Sequence, residues 1–296
     1  MRTAFINQLI VEARQNKELF LVVGDLGFSV VEPFVAEFPD RFLNAGVAEQ
    51  NMTGIAAGLA MEGYNVFTYS IGNFPTMRAY EQIRYDVCYH NLSVKIVSVG
   101  GGYAYGPLGT SHHATEDFGI MRVLPNMLVT APADPHEAKA ITTLFCNHRG
   151  PGFIRLGKAG EPNLHTQAVE LSIGEALYIK EGSGNLYIAT GSILKDAIAH
   201  VIQNDPTAGI ASFPFVKPID SVFIADAAQK YTNWISLEEH QSNCGFGSAV
   251  LECLNDLYNK QSIPNMPKLK RIAIPDKFIG YAGTQEFLRK EAGLIL

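Results

Sequence analysis

The chain has 296 residues and a formal net charge of −6, with 47% hydrophobic and 18% charged residues. This length suits two domains of about 150 residues each, and the apolar share is sufficient for two cores. The negative charge excludes a strongly basic surface for nucleic acid, and no apolar run has the length of a membrane span or the pattern of a signal peptide. We therefore expect a cytoplasmic protein that binds neither nucleic acid nor membrane.

Short β-branched apolar runs alternate with amphipathic stretches along almost the whole chain. Strands are predicted at 20–23, 65–69, 94–99, 127–130, 152–156, 186–189, 208–212, 233–237 and 269–274. Helices are predicted at about 2–16, 49–62, 75–89, 116–123, 134–147, 193–204, 219–230, 245–259 and 284–291. Near-continuous apolar strands separated by helices predict an α/β fold in which mostly parallel sheets are flanked by helices.

The regular alternation weakens over residues 157–172, GKAGEPNLHTQAVELS. This stretch is rich in small and polar residues and has no helical or strand periodicity, which is typical of a connection between domains. We expect an N-terminal domain at 1–160, a linker at 161–172 and a C-terminal domain at 173–296.

Several common cofactor and catalytic motifs are absent. The sequence has no G-x-G-x-x-G, no G-x-x-x-x-G-K-[ST] and no G-x-S-x-G, which argues against a Rossmann dinucleotide site, a Walker phosphate loop and a hydrolase elbow. The adjacent pair His112-His113 has no carboxylate or thiol at zinc spacing, so we expect no metal site on this chain. No two cysteines form a C-x-x-C pair, and buried thiols in a reducing compartment are expected at Cys88, Cys146, Cys244 and Cys253.

Residues 42–62, FLNAGVAEQNMTGIAAGLAME, contain a strand end followed by a helix that begins near Glu49. Gly54, Ala57 and Gly58 are small residues that would let another helix approach closely, which suggests a subunit interface. On its own, Glu49 is explained as an acidic residue in a first helical turn, where it favours the helix dipole.

The pattern N-x-G-V-A-E-Q-N-M before a Gly/Ala-rich helix resembles the transketolase family, including its deoxyxylulose-phosphate synthase branch. The resemblance is strong over about residues 2–160 and weaker beyond. It implies a thiamine-diphosphate-binding domain of the pyrimidine type, followed by a transketolase C-terminal-like domain. In this family the residue matching Glu49 hydrogen-bonds N1′ of the aminopyrimidine and favours its 4′-imino tautomer, while the protein supplies orientation and electrostatics.

Two further segments carry the resemblance on the cofactor side. Ile71-Gly72-Asn73-Phe74 resembles the aromatic cradle of the aminopyrimidine, which implies that Phe74 stacks on the ring and that Ile71 lines it. Without the resemblance, Phe74 would be interpreted as a core residue. Val23-Gly24-Asp25-Leu26 resembles the segment after the first strand of this domain, which adds Asp25 to the cofactor-binding residues.

The segment 105–114, YGPLGTSHHA, resembles the family's Gly-rich loop that ends in a histidine beside the reacting carbon. The resemblance implies that His112 contacts the donor hydroxyl or carbonyl and that His113 orients it or contacts the substrate. A neutral imidazole suits this task because it can donate at one nitrogen and accept at the other. The alternative is a pair of histidines that cap the helix after Glu116.

Substrate recognition shows departures from the family pattern. Leu108 stands where many transketolases have an aspartate that contacts a sugar hydroxyl, and an apolar side chain cannot accept that hydrogen bond. The resemblance assigns phosphate recognition to Arg2, Ser29 and Lys158, but a lysine replaces the usual arginine and offers a point charge instead of a planar fork. The alternatives are a solvated terminus for Arg2 and a surface charge for Lys158.

The diphosphate-binding motif of the family, G-D-G followed by an Asn, is missing, since Gly24-Asp25 continues with Leu26. The chain also begins where the second domain begins in full-length relatives. We therefore expect a separate N-terminal subunit that carries the G-D-G motif and binds Mg²⁺ or Ca²⁺ with the diphosphate. The expected assembly is a homodimer or an α2β2 heterotetramer.

The expected function is transfer of a two-carbon ketol unit between sugar phosphates or related aldoses, by the C-terminal subunit of a split transketolase-type enzyme. Alternatives on the same scaffold are a 1-deoxyxylulose-5-phosphate synthase-like subunit and the β subunit of a 2-oxoacid dehydrogenase. A non-catalytic scaffold subunit is the third alternative, supported by Leu108 and Lys158. The turn at Glu238-Glu239-His240 resembles one in the family's third domain, for which we expect an assembly role.

Overall fold

The structure, a computed structural model, describes residues 1–296 and contains two sheets flanked by helices. The helices are α1 (Arg2–Gln15), α2 (Glu32–Glu37), α3 (Glu49–Met61), α4 (Tyr80–Gln82), α5 (Asp117–Arg122), α6 (Pro135–Asn147), α7 (Leu194–Asn204), α8 (Ser221–Lys230), α9 (Phe246–Asn259) and α10 (Gln285–Glu291). The strands are β1 (Leu19–Val23), β2 (Phe42–Asn44), β3 (Asn65–Ile71), β4 (Val94–Val99), β5 (Leu128–Thr130), β6 (Gly152–Leu156), β7 (Leu177–Lys180), β8 (Asn185–Ala189), β9 (Gly209–Ser212), β10 (Phe215–Lys217), β11 (Asn233–Gln241) and β12 (Lys268–Ile274).

The first sheet has seven strands in the order β10-β5-β6-β4-β3-β1-β2, and all but β10 run parallel. The carboxyl ends of its parallel strands therefore meet at one edge. Strands β1, β2, β3, β4 and β6 are each followed there by a loop that contains predicted site residues or their neighbours. The sheet order explains why segments distant in sequence meet at this edge.

The second sheet has five strands in the order β12-β11-β8-β9-β7, and only β7 is antiparallel. Residues 157–176 between the sheets contain no helix or strand. The predicted α/β class with two mostly parallel sheets is confirmed. Residues of both halves share one large apolar cluster that includes Phe118, Val129, Phe213 and Phe246.

Strand β10 belongs to the second half of the sequence but joins the first sheet. Phe215 pairs antiparallel with Thr130 of β5, and the N–H of Ala131 donates to the carbonyl of Pro214 at 2.8 Å. This strand was not predicted, because three residues are too short to show a strand period.

The helix predicted over 75–89 begins later than expected. Pro75 lies in a run of turns, helix α4 begins at Tyr80, and the chain continues as a π-helix over Ile83–Tyr89. The predicted start of α6 is confirmed, since Asp134 caps the helix by accepting from the N–H of Glu137 at 2.9 Å. None of the helices combines the length and apolar composition that crossing a bilayer requires.

Candidate active site at the carboxyl edge of the first sheet

Glu49 is the first residue of α3, which follows β2 at the carboxyl edge of the sheet. Its side chain is only 3% exposed, which is unusual for a glutamate at a helix start. Its Oε2 accepts a hydrogen bond from Nη1 of Arg78 at 3.2 Å. A buried carboxylate at the edge where loops converge is a group that can hold a ligand's ring nitrogen.

Arg78 connects Glu49 to the predicted aromatic cradle. Its guanidinium carbon lies 4.2 Å from the centre of the Phe74 ring, while Nη1 donates to Glu49. The Arg78 side chain is 52% exposed, so it lies between the buried Glu49 carboxylate and the solvent. From the sequence, Arg78 fell only within the helix predicted over 75–89, and no local pattern singled it out as a site residue.

His112 completes this set of contacts. It ends a 3₁₀ turn, Thr110–His112, and its ring lies edge-on to Phe74 with 5.2 Å between the centroids. Nδ1 of His112 lies 3.0 Å from the hydroxyl of Ser111. Glu49, Arg78, Phe74 and His112 thus form one continuous chain of contacts, although they come from three separate loops and helices.

His113 is more buried than His112. Its side chain is 5% exposed and lies edge-on to Tyr103, with 5.0 Å between the ring centroids. Burial lowers the pKa of His113, although the Gly106 carbonyl partly opposes this effect. The partner that hydrogen-bonds the ring of His112 is therefore Ser111, and His113 supports the loop from its buried side.

The remaining predicted cofactor residues lie at the same edge. Ile71 is the last residue of β3 and is half-buried beside the turn that leads to Phe74. Asp25 follows β1 with a positive φ of 55° and is exposed. Its Oδ1 accepts from Nδ2 of Asn44 at 2.9 Å, and its N–H donates to Oδ1 of Asn44 at 3.0 Å. This pair ties the ends of β1 and β2 together.

The predicted phosphate-binding residues lie at the carboxyl edge but do not all meet. Burial raises the pKa of Tyr69 and that of Tyr105, and the nearby charge of Arg2 partly opposes this effect in both. Nζ of Lys158 lies 5.3 Å from the centre of the Tyr105 ring. Tyr105 therefore brings the two cations into one neighbourhood. Ser29 is exposed at a positive φ of 61°, and its N–H donates to Oε1 of Glu32.

The small residues of α3 divide between two faces. Ala57 is 3% exposed and packs in the core, which corrects its assignment to an interface. Gly54 and Gly58 are exposed, and a Cβ added at either would meet nothing within 4 Å. Of the three small residues, only Gly54 and Gly58 therefore lie on the exposed face of α3, where another helix could approach.

No group of three or more His, Cys, Asp or Glu side chains is placed to hold a metal ion. The buried carboxylate of Glu49, connected through Arg78 to the Phe74 ring, fits the aminopyrimidine end of thiamine diphosphate, because that end needs a hydrogen-bond partner for N1′ and an aromatic wall. The chain's own residues therefore fit one end of this cofactor.

Comparison with known proteins agrees with this geometry. A family model of the transketolase pyrimidine binding domain matches residues 1–160, and one of the transketolase C-terminal domain matches residues 174–294. One of the subunits of the apulose-4-phosphate transketolase of Actinobacillus succinogenes is 33% identical, with 98% of this chain and 92% of that protein covered. A putative transketolase C-terminal section of Methanocaldococcus jannaschii is 35% identical, with 99% and 92% covered.

A solved structure described as a split gene transketolase, inactive beta4 tetramer, superposes with a TM-score of 0.86 at 32% identity. The superposition covers 99% of this chain and 93% of the chain of the solved structure. The fold and the matched domains define a thiamine-diphosphate-dependent transferase subunit of the split type. The chain belongs to the transketolase family. The resemblance inferred from the sequence is confirmed.

Proposed function

We propose that this chain, together with a separate N-terminal subunit, transfers a two-carbon ketol unit between sugar phosphates or related aldoses. The observation that carries the proposal is the contact chain from buried Glu49 through Arg78 and Phe74 to His112. It supports the proposal because a carboxylate, an aromatic ring and a histidine are the groups that aminopyrimidine binding and donor binding need.

On this proposal, Glu49 hydrogen-bonds N1′ of thiamine diphosphate and accepts from it when N1′ is protonated, while Phe74 and Ile71 pack against the ring. Asp25, locked to Asn44, shapes the loop after β1 beside the cofactor. When bound, thiamine diphosphate would supply the nucleophilic carbon that takes the two-carbon unit from the donor, releasing an aldose, and passes it to the acceptor. Arg78 can move aside when the cofactor binds, because half of its side chain is already in water and N1′ would replace it as the partner of the buried Glu49.

His112 is proposed to contact the hydroxyl or carbonyl of the donor, with Ser111 fixing the ring through Nδ1. Arg2 and Lys158, near Tyr105, are proposed to bind the substrate phosphate, with Ser29 as a hydroxyl ligand and His113 behind the loop. Two cations provide the charge that a phosphate needs, although a lysine contributes less directional hydrogen bonding than an arginine.

The partner is proposed to carry the G-D-G and Asn motif, to bind Mg²⁺ or Ca²⁺ with the diphosphate, and to form an α2β2 heterotetramer in the cytoplasm. Relatives that are named as one subunit of a transketolase, and a solved split gene transketolase, support a separate partner chain. Phe28 and Val47 are 79% and 71% exposed in the loops after β1 and β2, which suits a surface that a second chain covers.

The test is reconstitution with the companion chain. Each chain is assayed alone and after mixing, with thiamine diphosphate, Mg²⁺ and an aldose acceptor, by following aldose phosphate release from a panel of ketose phosphate donors. We expect turnover only in the mixture, and sedimentation should show an assembly of four chains. Turnover by this chain alone at the rate of the mixture would contradict the split architecture.

A second candidate is condensation of pyruvate with an aldose phosphate. The supporting observation is 33% identity to 1-deoxy-D-xylulose-5-phosphate synthase 1 of Geobacter sulfurreducens, of which this chain covers 44%. Leu108 is 56% exposed and cannot accept a hydrogen bond from a donor sugar, which fits a smaller donor. Carbon dioxide release from pyruvate by the mixed chains, without ketose phosphate cleavage, would favour this candidate.

A further inference from the structure

The loop that carries His112, residues 102–114, is closed at its base by a two-residue bridge. The N–H of Gly102 donates to the carbonyl of Ala114 at 2.7 Å, and the N–H of Ala114 donates to that of Gly102 at 3.0 Å. We call residues 102–114 the His112 loop. The position of His112 relative to Phe74 therefore depends on what holds this bridge.

A side chain from the other sheet holds it. Glu239 lies on β11, is 4% exposed, and its Oε1 accepts from the N–H of Tyr103 at 2.8 Å. Gly102 has a φ of 64°, and a Cβ added there would lie 2.5 Å from the carboxyl carbon of Glu239. The absence of a side chain at Gly102 is what lets the carboxylate approach this backbone.

The carboxylate of Glu239 is fully coordinated by donors. Its Oε2 accepts from Nη2 of Arg289 at 2.6 Å, and Nε2 of Gln285 contacts Oε2 at 2.9 Å. Arg289 is itself 4% exposed and also donates to Asp196 at 2.7 Å. A buried carboxylate with a charged partner and two neutral donors is rigid, because each lost contact would leave an uncompensated group.

The opposite end of the bridge is held from the first sheet. Nη2 of Arg155, on β6, donates to the carbonyl of Ala114 and, at 2.9 Å, to the backbone carbonyl of Glu239. Both ends of the His112 loop are thus fixed to the same residue of β11, one directly and one through Arg155. This arrangement couples the histidine to a strand of the C-terminal half.

We propose that Glu239 is a positioning residue, which holds the His112 loop so that the second sheet sets the geometry in which His112 meets the donor. The inference rests on the proposed role of His112 and adds a role in catalysis for the half of the chain expected to serve assembly. A histidine displaced by about 1 Å can cost on the order of 100-fold in rate, so a rigid support at the loop base has a large effect.

The first test is hydrogen exchange of this chain alone, which needs neither partner nor substrate. Peptides covering 100–114 are compared in wild type, Glu239→Ala, Glu239→Gln and Asp196→Asn. Asp196→Asn is the matched control, because it also removes a carboxylate from Arg289 but does not touch the loop. We expect at least roughly tenfold faster loop exchange in Glu239→Ala and wild-type exchange in the control. Unchanged exchange in Glu239→Ala overturns the proposal.

The second test is steady-state kinetics of the reconstituted pair at saturating thiamine diphosphate. We expect Glu239→Ala to lower kcat/KM for the donor by about 100-fold, and Glu239→Gln to recover part of it, since the amide oxygen can still accept from Tyr103. Asp196→Asn should match wild type. Equal kcat/KM in Glu239→Ala and wild type overturns the catalytic role. An inactive wild-type pair would instead overturn the proposed function, and hydrogen exchange alone would then decide whether Glu239 holds the His112 loop.

Discussion

Replacing the buried carboxyl of Glu49 by an amide should separate the residue's contribution to catalysis from its contribution to stability. Glu49→Gln keeps the size and the burial of the side chain, and its amide oxygen can still accept from Arg78. It removes the charge that would share a proton with a cofactor ring nitrogen. The substitution therefore removes the charge of the side chain and leaves its size and burial unchanged.

The structure sets the expected magnitude of each effect. The Arg78 partner is half exposed, so the Glu49–Arg78 ion pair stabilises the fold by at most about 1 kcal/mol, which corresponds to a shift in Tm of roughly 2–4 °C. Loss of a group that assists proton transfer lowers the rate by about 10²- to 10⁴-fold, or about 3–5 kcal/mol of activation free energy. In free-energy units, the increase in the activation barrier should therefore exceed the loss of folding stability several-fold.

The assay is kcat of the reconstituted pair alongside thermal unfolding of the variant chain. Glu81→Gln is the matched control, because Glu81 also pairs with an arginine but its side chain is 67% exposed. We expect wild-type kcat in the control and a loss of at least about 100-fold in Glu49→Gln. Glu49→Gln with wild-type kcat, or with a loss explained by unfolding at the assay temperature, would refute the reasoning.

Three further outcomes are expected. Phe74→Leu should weaken thiamine diphosphate binding to the reconstituted pair by up to roughly tenfold in titration calorimetry, because it removes aromatic stacking but keeps an apolar wall; unchanged affinity would count against the cradle. Burial alone would lower the pKa of His165, but its hydrogen bond to Glu137 and nearby carboxylate charges raise it, so this pair stabilises the fold most below about pH 6.5 and loses that contribution as pH rises through the raised pKa. Between pH 6 and pH 9, the free energy of unfolding in urea should fall less for His165→Gln than for wild type. Equal falls in the two proteins would contradict the pairing. Gly102→Ala should destabilise by at least about 1–2 kcal/mol in the same assay, because its backbone is left-handed and a carboxylate occupies the space of the new methyl group; wild-type stability would rule out the close approach.

Much of the first half could be predicted from the sequence because its signals are local. Buried parallel strands are continuous apolar runs, and the caps of helices such as α6 use a recognisable Asp-Pro start. The order of strands then carries the segments around Glu49, Phe74 and His112 to one edge. The resemblance to a family, and not periodicity, supplied their suggested roles.

The rest depends on contacts between residues that are far apart in the chain. Glu239 and Tyr103 are separated by 136 positions, and no local pattern marks a backbone N–H as the partner of a distant carboxylate. Arg78 was visible only as a helix residue, and its double contact with Glu49 and Phe74 depends on turns that precede the helix. Such contacts arise from tertiary packing, which a single sequence does not encode locally.

The short strand β10 bears on how this protein can be divided. A polypeptide ending in the 157–176 connection would lack Phe215–Lys217, so β5 would become an open edge with free backbone groups. The apolar surface shared with Phe213 and Phe246 would be uncovered at the same time. We therefore expect each half, produced separately, to self-associate. Fusion of a companion polypeptide to either terminus would leave the pairing of β10 with β5 intact.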